Sequence, residues 1–510
     1  MKKIVIIGAG ISGLASGCYL QMNGYETQIF EKHTIPGGLC TSWSRKGYCF
    51  DGCVHWLLGS AEGNTFYQLW SELIDMKQVE FVNHTERVAI ELKDHADQHG
   101  NKLFHLYADV DQLEAYLLEL SPEDYKPIRE FTRSIRTLMK YQLPPMVDKA
   151  PEVRNLADNL KMIKLLPLLP VLKKWVKISN SDFAARLKSP FLREAFELLY
   201  DGREAPLLMM TMQLAFFGKG CAGYPVGGSL ALSRRLEERY LSLGGRIHYS
   251  KGVKKIITEH NQATGVLTEE GERTTADIVL SAADWNFTIY EALEGKYTDK
   301  IIHALKDQKI YEVFESAILI SLGVAADLSD QPHLLRFPLE KELQLEDGSS
   351  FSRMEAHIYH YDHTVAPEGK TVISVTFTTK NADEWILLRE RDPEGYRKQK
   401  EVVAKKVIDI LDRKLGGIKE KIEAVDVATP ATFLRYTGNW KGSMQGWMPT
   451  ENLFASSPIK NTLPGLSNFY MTGQWMVPGG GLPIALQTGR NIAQIICKND
   501  KREFCVRKLG

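Results

Sequence analysis

The segment from Lys3 to Gly13 constrains this chain more than any other. Lys3-Ile4-Val5-Ile6-Ile7 is an apolar run of strand length, the pattern of a strand covered on both faces in a parallel sheet. It leads directly into Gly8-Ala9-Gly10-Ile11-Ser12-Gly13. Gly8 permits a tight turn, Gly10 removes the side chain that would block a pyrophosphate, and Gly13 lets the next helix pack closely on the strand. Phosphates then sit on the free N–H groups of the helix N-terminus. The spacing predicts a helix from Ile11 to Asn23, closed by Gly24. A second strand, Glu26 to Phe30, ends on Glu31. An acid there accepts ribose hydroxyls and repels a 2′-phosphate, which disfavours NADP. Strand, glycines, helix, strand and acid in this order predict a site for the ADP half of a dinucleotide. Ser12 and Lys32 belong to the same candidate set.

The chain contains its own control. Gly218-Lys219-Gly220-Cys221-Ala222-Gly223 matches the same glycine spacing, but Pro225, Gly227 and Gly228 intervene before a helix can start near Ser229. No second strand ending in an acid follows at the right distance, so this match is read as a loop.

Lysine plus arginine equals aspartate plus glutamate at 63 each, so nothing global invites nucleic acid. With 510 residues the chain is expected to form two or three domains. Seven cysteines imply no disulfide framework, and a cytoplasmic, reducing compartment fits them. The apolar run after Met1-Lys2-Lys3 stops at Gly8, too early for a signal peptide. No charge-free apolar stretch is long enough to predict a transmembrane helix.

Beyond Glu31 come Pro36-Gly37-Gly38-Leu39-Cys40 and Phe50-Asp51-Gly52-Cys53-Val54-His55-Trp56. An NAD dehydrogenase has no need of a second glycine pair here. An FAD enzyme does, because its longer cofactor runs on past the ribose against packed backbone. Further blocks follow at Tyr224-Pro225-Val226-Gly227-Gly228-Ser229, Val253-Lys254-Lys255-Ile256 and Ala276 to Asp284. The last runs from Phe469-Tyr470-Met471-Thr472-Gly473-Gln474-Trp475 to Pro478-Gly479-Gly480-Gly481-Leu482-Pro483. On these residues the sequence resembles the phytoene desaturase, carotenoid isomerase and retinol saturase group of the flavin amine oxidase superfamily. The resemblance implies FAD as cofactor, with the adenine at Val253, the ribityl chain at Gly473 and the flavin ring near Gly481, Leu482 and Pro483. Glycines suit a close backbone approach, and a helix from about Leu482 would aim its positive end at the flavin.

The expected fold class is α/β: a discontinuous Rossmann-type FAD-binding domain with an α+β substrate-binding domain. The FAD blocks fall at 1–75, 224–290 and 425–500, and the substrate domain takes 76–223 and 291–424. Strands are expected at Arg87 to Leu92, Leu103 to Tyr107, Ala317 to Val324, Arg353 to Tyr359 and Thr371 to Thr378, with helices from Val110. The tail from Lys498 is charged and expected to fray, apart from Phe504 to Val506.

Leu160 to Ile178 carries five lysines, no acid, many leucines and Trp175. Pro167 and Pro170 divide it into two short pieces. It is expected to form an interfacial patch on the inner face of a membrane, with Trp175 and the lysines at the boundary. A pair of core helices with snorkelling lysines is the alternative.

In flavin chemistry at carbon–carbon bonds, the flavin N5 takes or gives the hydride, and the protein supplies any proton acceptor or donor. His55, close after the first glycine pair, is the candidate catalytic residue; a structural role is the alternative. Period two places Glu355, His357 and Tyr359 on one strand face and His360 on the other, with His363 in the following turn. A solvated strand face is the plain alternative for them. Cys40, Cys49, Cys53 and His55 do not match a standard zinc spacing, and no metal is expected. The expected function is FAD-dependent desaturation, saturation or isomerisation of a lipophilic isoprenoid or polyene. A flavin amine oxidase on a polar amine and a non-catalytic FAD-binding lipid carrier are the alternatives.

Overall fold

A computed structural model describes residues 1–142, 148–200, 204–448 and 459–507, apart from the side chains at 159, 161 and 162. Lys3–Ile7 is the central strand of a parallel sheet ordered Phe469–Met471, Ile278–Ser281, Lys3–Ile7, Glu26–Phe30, Arg246–His248. Ile4 to Ile7 are buried, as a strand covered on both faces requires. The helix after the glycine turn spans Ile11–Met22 with Asn23 as its C-cap. On one side of the sheet it packs against Leu482–Asn499 and Gly228–Ser242. A close approach is possible because glycines stand at the crossings. A Cβ on Gly489 would lie 2.7 Å from the carbonyl oxygen of Ser12, and one on Gly17 would enter the Tyr240 ring. The other side is covered by the antiparallel strands Val253–Glu259, Gln262–Thr268 and Arg273–Thr275 and by an aromatic cluster around Trp285, Trp447 and Trp475.

A seven-stranded sheet organises the second half of the core among the described residues. Its order is Ile422–Ala428, Ser316–Val324, Thr371–Thr379, Ser350–Ile358, Leu334–Gln344, Glu86–Glu91, Leu103–Tyr107. Every neighbouring pair is antiparallel except Leu334–Gln344 with Glu86–Glu91. Leu334–Gln344 has no clean alternation in the sequence, because Pro338 and the run Glu340-Lys341-Glu342 interrupt it. The sheet absorbs the interruption as an irregularity between Pro338 and Leu343. Ala382–Arg391 and Pro393–Leu415 cover one face, and the helices between 110 and 218 cover the other. Ile422–Ala428, which straddles residue 425, is an edge strand of this sheet.

Gly218 ends the helix Leu207–Gly218, and the residues after it turn toward Tyr224–Pro225 without forming a nucleotide-type helix start. The basic segment is divided into three pieces and not two, Leu156–Lys161, a 3₁₀ stretch Met162–Leu168 with Pro167 inside it, and Leu169–Trp175 with Pro170 in its first turn. Trp175 departs from the expectation of a boundary residue. It is fully buried, packs on Phe131 and Phe183, and donates its indole N–H to Ser134 Oγ at 2.7 Å. Helices 125–139 and 180–184 close around the ring, and that apolar enclosure outcompetes an interface. In the described part of the tail, Phe504 and Val506 pack on the core around Ile11–Met22.

Candidate active site

The parallel strands point their C-terminal ends into one elongated cleft. Gly8, Gly10 and Ser12 line it from the first turn. Glu31 and Lys32 line it from the end of the second strand, and Gly37, Gly38 and Leu39 from the loop that follows. Val253, Gly473, Gly481 and Leu482 enter from segments hundreds of residues away. Gly13, Pro483 and His55 lie outside the lining. Gly13 serves packing instead: a Cβ there would stand 2.0 Å from the Gly8 carbonyl oxygen. Pro483 occupies the first turn of Leu482–Asn499, where proline is compatible with a helix start.

The arrangement fits an FAD. Gly10 is the N-cap of Ile11–Met22 and carries no side-chain cap, so the first N–H groups of that helix are left for a ligand. A Cβ on Gly10 would meet nothing nearer than the Gly37 oxygen at 3.9 Å. The side chain is therefore missing in favour of the cleft, not of a protein neighbour. Gly473 has similarly open surroundings, its nearest neighbour at 3.8 Å, but there a φ of +115° by itself requires glycine. Glu31 lines the cleft directly after the second strand. Its Oε2 accepts the Ala9 N–H at 2.7 Å and its Oε1 the His33 N–H at 2.8 Å. Burial raises its pKa, and those N–H bonds oppose the rise. At the other end Gly481 caps Leu482–Asn499, again without a side-chain cap. A second helix N-terminus thus faces the cleft and favours negative charge there.

Asp284 was not among the residues singled out in the sequence, yet it lines the same cleft. It stands two residues past the end of a neighbouring parallel strand, beyond Ala282 and Ala283, whereas Glu31 follows its strand directly, and an acid after a strand was the available signal. It accepts N–H groups from Phe287 and Trp440, each at 2.8 Å. Burial pushes its carboxyl up to about 7. Asn439, Met444 and Gln445 also line the cleft, from a segment with no local motif.

Cys53 leads from the cleft toward His55. Its thiol is pushed well up by a hydrogen bond with Cys40 and by burial, so it stays protonated and is no nucleophile. The His55 ring stacks on His357 at 3.9 Å and 19°, and its Nδ1 is 3.2 Å from the Tyr359 hydroxyl. Burial, then the neighbouring His357, hold His55 well below its ordinary pKa, so its imidazole is neutral. Glu355 Oε1 is 3.4 Å from His357 Nε2, so Glu355, His357 and Tyr359 do share one face. That face is interior, not solvated: His357 and Tyr359 are buried. His363 stands apart and exposed. Among the described residues, no three histidine, cysteine or acidic side chains gather as a metal would need.

The sequence profile of the family described as "Flavin containing amine oxidoreductase" matches residues 11–497. The chain belongs to that family, and it is an FAD-dependent oxidoreductase. It is 25% identical to the chloroplastic prolycopene isomerase of Arabidopsis thaliana over 497 residues, 94% of this chain and 80% of that protein. It is also 25% identical over 511 residues to the 1-hydroxycarotenoid 3,4-desaturase of a Flavobacterium species, covering 97% and 99% of the two chains. A solved oxidoreductase from Methanosarcina mazei shares the fold with a TM-score of 0.58 at 17% identity, over 97% of this chain and all of that one.

Proposed function

We propose that this enzyme desaturates, saturates or isomerises carbon–carbon bonds of a lipophilic isoprenoid or polyene. The observation that carries the reading is the end-to-end similarity to a polyene isomerase and a carotenoid desaturase, which spans both the FAD cleft and the seven-stranded sheet. Bound FAD supplies hydride acceptance or donation at N5. The chain's residues hold and orient the cofactor: the glycine turn and Ser12 at the pyrophosphate, Glu31 and Lys32 at the ribose, Val253 at the adenine side, and Gly37 to Leu39, Gly473, Gly481, Leu482 and Pro483 along the flavin half. His55, neutral and within hydrogen-bond distance of Tyr359, is the candidate proton-handling group. Trp56, next to His55 in the chain, packs on Phe217, and both lie on the helical core. Trp475 packs edge-on to Trp447 and leans on Trp440, an arrangement that does not form the facing aromatic pair an amine site requires.

A membrane delivers such a substrate. No described helix is long and apolar enough to cross one. Leu156, Leu160, Ile163 and Leu166 are each more than half exposed, next to the exposed Lys164, Lys173 and Lys174. This patch suits docking on an anionic cytoplasmic leaflet. The test of the catalytic reading is anaerobic mixing of oxidised and reduced holoenzyme with polyenes, retinoids and simple amines while the flavin spectrum is recorded. Spectral change with polyenes or retinoids is expected; bleaching by an amine and by no lipid would overturn the reading.

A further inference from the structure

Cys40 and Cys53 both line the FAD cleft, and the hairpin between them sets one opposite the other. Ser42–Arg45 and Tyr48–Asp51 pair antiparallel, with Ser42 across from Asp51. The pairing continues one step outward, where the Gly52 N–H donates to the Thr41 carbonyl at 3.0 Å. The next step of that register brings Cys40 across from Cys53. Opposed residues of an antiparallel ladder have Cα atoms about 4.5–5.5 Å apart and side chains on the same face. A disulfide spans about 4.4–6.8 Å between Cα atoms. The two thiols share a hydrogen bond in which Cys53 keeps its proton, and Cys40 donates its own S–H to the Ser229 carbonyl at 3.4 Å.

Among the described residues no other cysteine lines the cleft. Cys49 stands across from Ser44. Cys18, Cys221 and Cys497 are buried elsewhere, and Cys505 is exposed. No third histidine, cysteine or acid among the described residues joins the pair to hold a metal. Plain packing needs only one small apolar side chain at each position. Two opposed thiols add something that packing does not require: a two-electron couple, on the wall of a cleft that takes a two-electron cofactor.

We propose that Cys40 and Cys53 form a dithiol–disulfide couple that exchanges two electrons with the bound FAD. When the couple is oxidised, both S–H bonds break and one S–S bond forms. The two electrons and two protons pass to the oxidised flavin, which becomes reduced, and the reverse step returns them. No further reactant enters the exchange. Cys53 keeps its proton in the resting dithiol, so Cys40 reacts first and the Cys53 proton leaves as the S–S bond closes. The couple gives the enzyme a second two-electron store beside the flavin. It depends on the FAD cleft alone and not on which carbon–carbon reaction the enzyme runs.

The test is anaerobic titration of fully reduced holoenzyme with ferricyanide, followed by flavin absorbance. Complete oxidation should consume about four one-electron equivalents per FAD in the wild type and about two in Cys40→Ala or Cys53→Ala. Cys49→Ala is the control and should titrate as the wild type does. Acid quenching, alkylation and peptide mapping of the same samples give a second readout. The oxidised wild type should carry two alkylatable thiols fewer than the reduced one, with residues 40 and 53 linked. Consumption of about two equivalents by the wild type, with residues 40 and 53 both alkylated, would overturn the proposal, and this arm needs no variant. Persistence of the extra equivalents in Cys53→Ala would likewise overturn it. Either result leaves the polyene reading intact.

Discussion

Glu31 Oε2 accepts the backbone N–H of Ala9 at 2.7 Å and so ties the end of the second strand to the glycine turn. The acid proposed to face the ribose is also a strut of the glycine turn. Glu31→Ala should therefore act twice. It leaves the Ala9 and His33 N–H groups without their acceptor, a loss of about 1–3 kcal/mol in the apoprotein. It also removes the ribose acceptor and weakens FAD binding. Apoprotein unfolding and flavin titration measure the two separately; an unchanged apoprotein would show that the strut contributes nothing.

Gly10 and Gly13 should separate in the same experiments. Alanine at Gly10 projects into open cleft from an ordinary backbone conformation, so apoprotein stability holds and FAD binding falls. Alanine at Gly13 meets the Gly8 oxygen at 2.0 Å, and overpacking of that kind costs about 1–3 kcal/mol. The expected pattern is a flavin-free but stable Gly10→Ala protein and a destabilised Gly13→Ala protein. Equal melting temperatures for the two variants would contradict it.

Asp284 predicts a pH signature. Its folded carboxyl titrates at about 7, whereas an unfolded aspartate titrates near 4. The folded state thus holds a proton that the unfolded state releases between those values. The stability from that proton is complete below about pH 4 and is lost as pH rises to about 7. Relative to Asp284→Asn, wild-type stability should fall by about 1.4 kcal/mol per pH unit across that window and level off above it. Denaturant unfolding of both proteins from pH 4.5 to 8.5 checks this, and parallel curves would assign Asp284 an ordinary carboxyl.

His55 should stay neutral at pH 6, where an ordinary imidazole is largely protonated, because burial and His357 hold it well below its usual value. Nitrogen-15 spectra of histidine-labelled protein, assigned with His55→Gln, report the charge directly. An imidazolium signal for His55 at pH 6 would contradict the geometry described here.

The exposed leucines make a separable prediction. Leu160→Asp with Leu166→Asp should reduce binding to anionic vesicles by roughly tenfold or more, since two apolar anchors are lost. Both side chains project outward, so thermal stability and flavin content should be unchanged. Vesicle co-sedimentation of wild type and variant at low and high salt provides the comparison; equal sedimentation would remove the patch from consideration.

Much of the FAD half was legible because its signals are local. A buried strand, a glycine turn, a helix and a terminal acid lie within a short span, and each residue is chosen by its immediate neighbours. The strands expected at Leu103 to Tyr107, Ala317 to Val324 and Thr371 to Thr378 were equally readable from composition, and they stand at Leu103–Tyr107, Ser316–Val324 and Thr371–Thr379. Leu334–Gln344 was not, because a sheet can accommodate Pro338 and a charged run that period two cannot. Trp175 misled for a related reason: an indole beside lysines has the same sequence at an interface as in a core, and only the closing helices distinguish the two.

The glycine turn with Glu31 by itself determined that this chain binds a dinucleotide, and the later glycine blocks that the dinucleotide is FAD. Only the tertiary structure decided what stands beside it. His55 and His357 stack although they lie far apart in the chain. Asp284 and Trp440 likewise meet from separate segments. Charge balance and desolvation are properties of such enclosures, and no local pattern of residues encodes them.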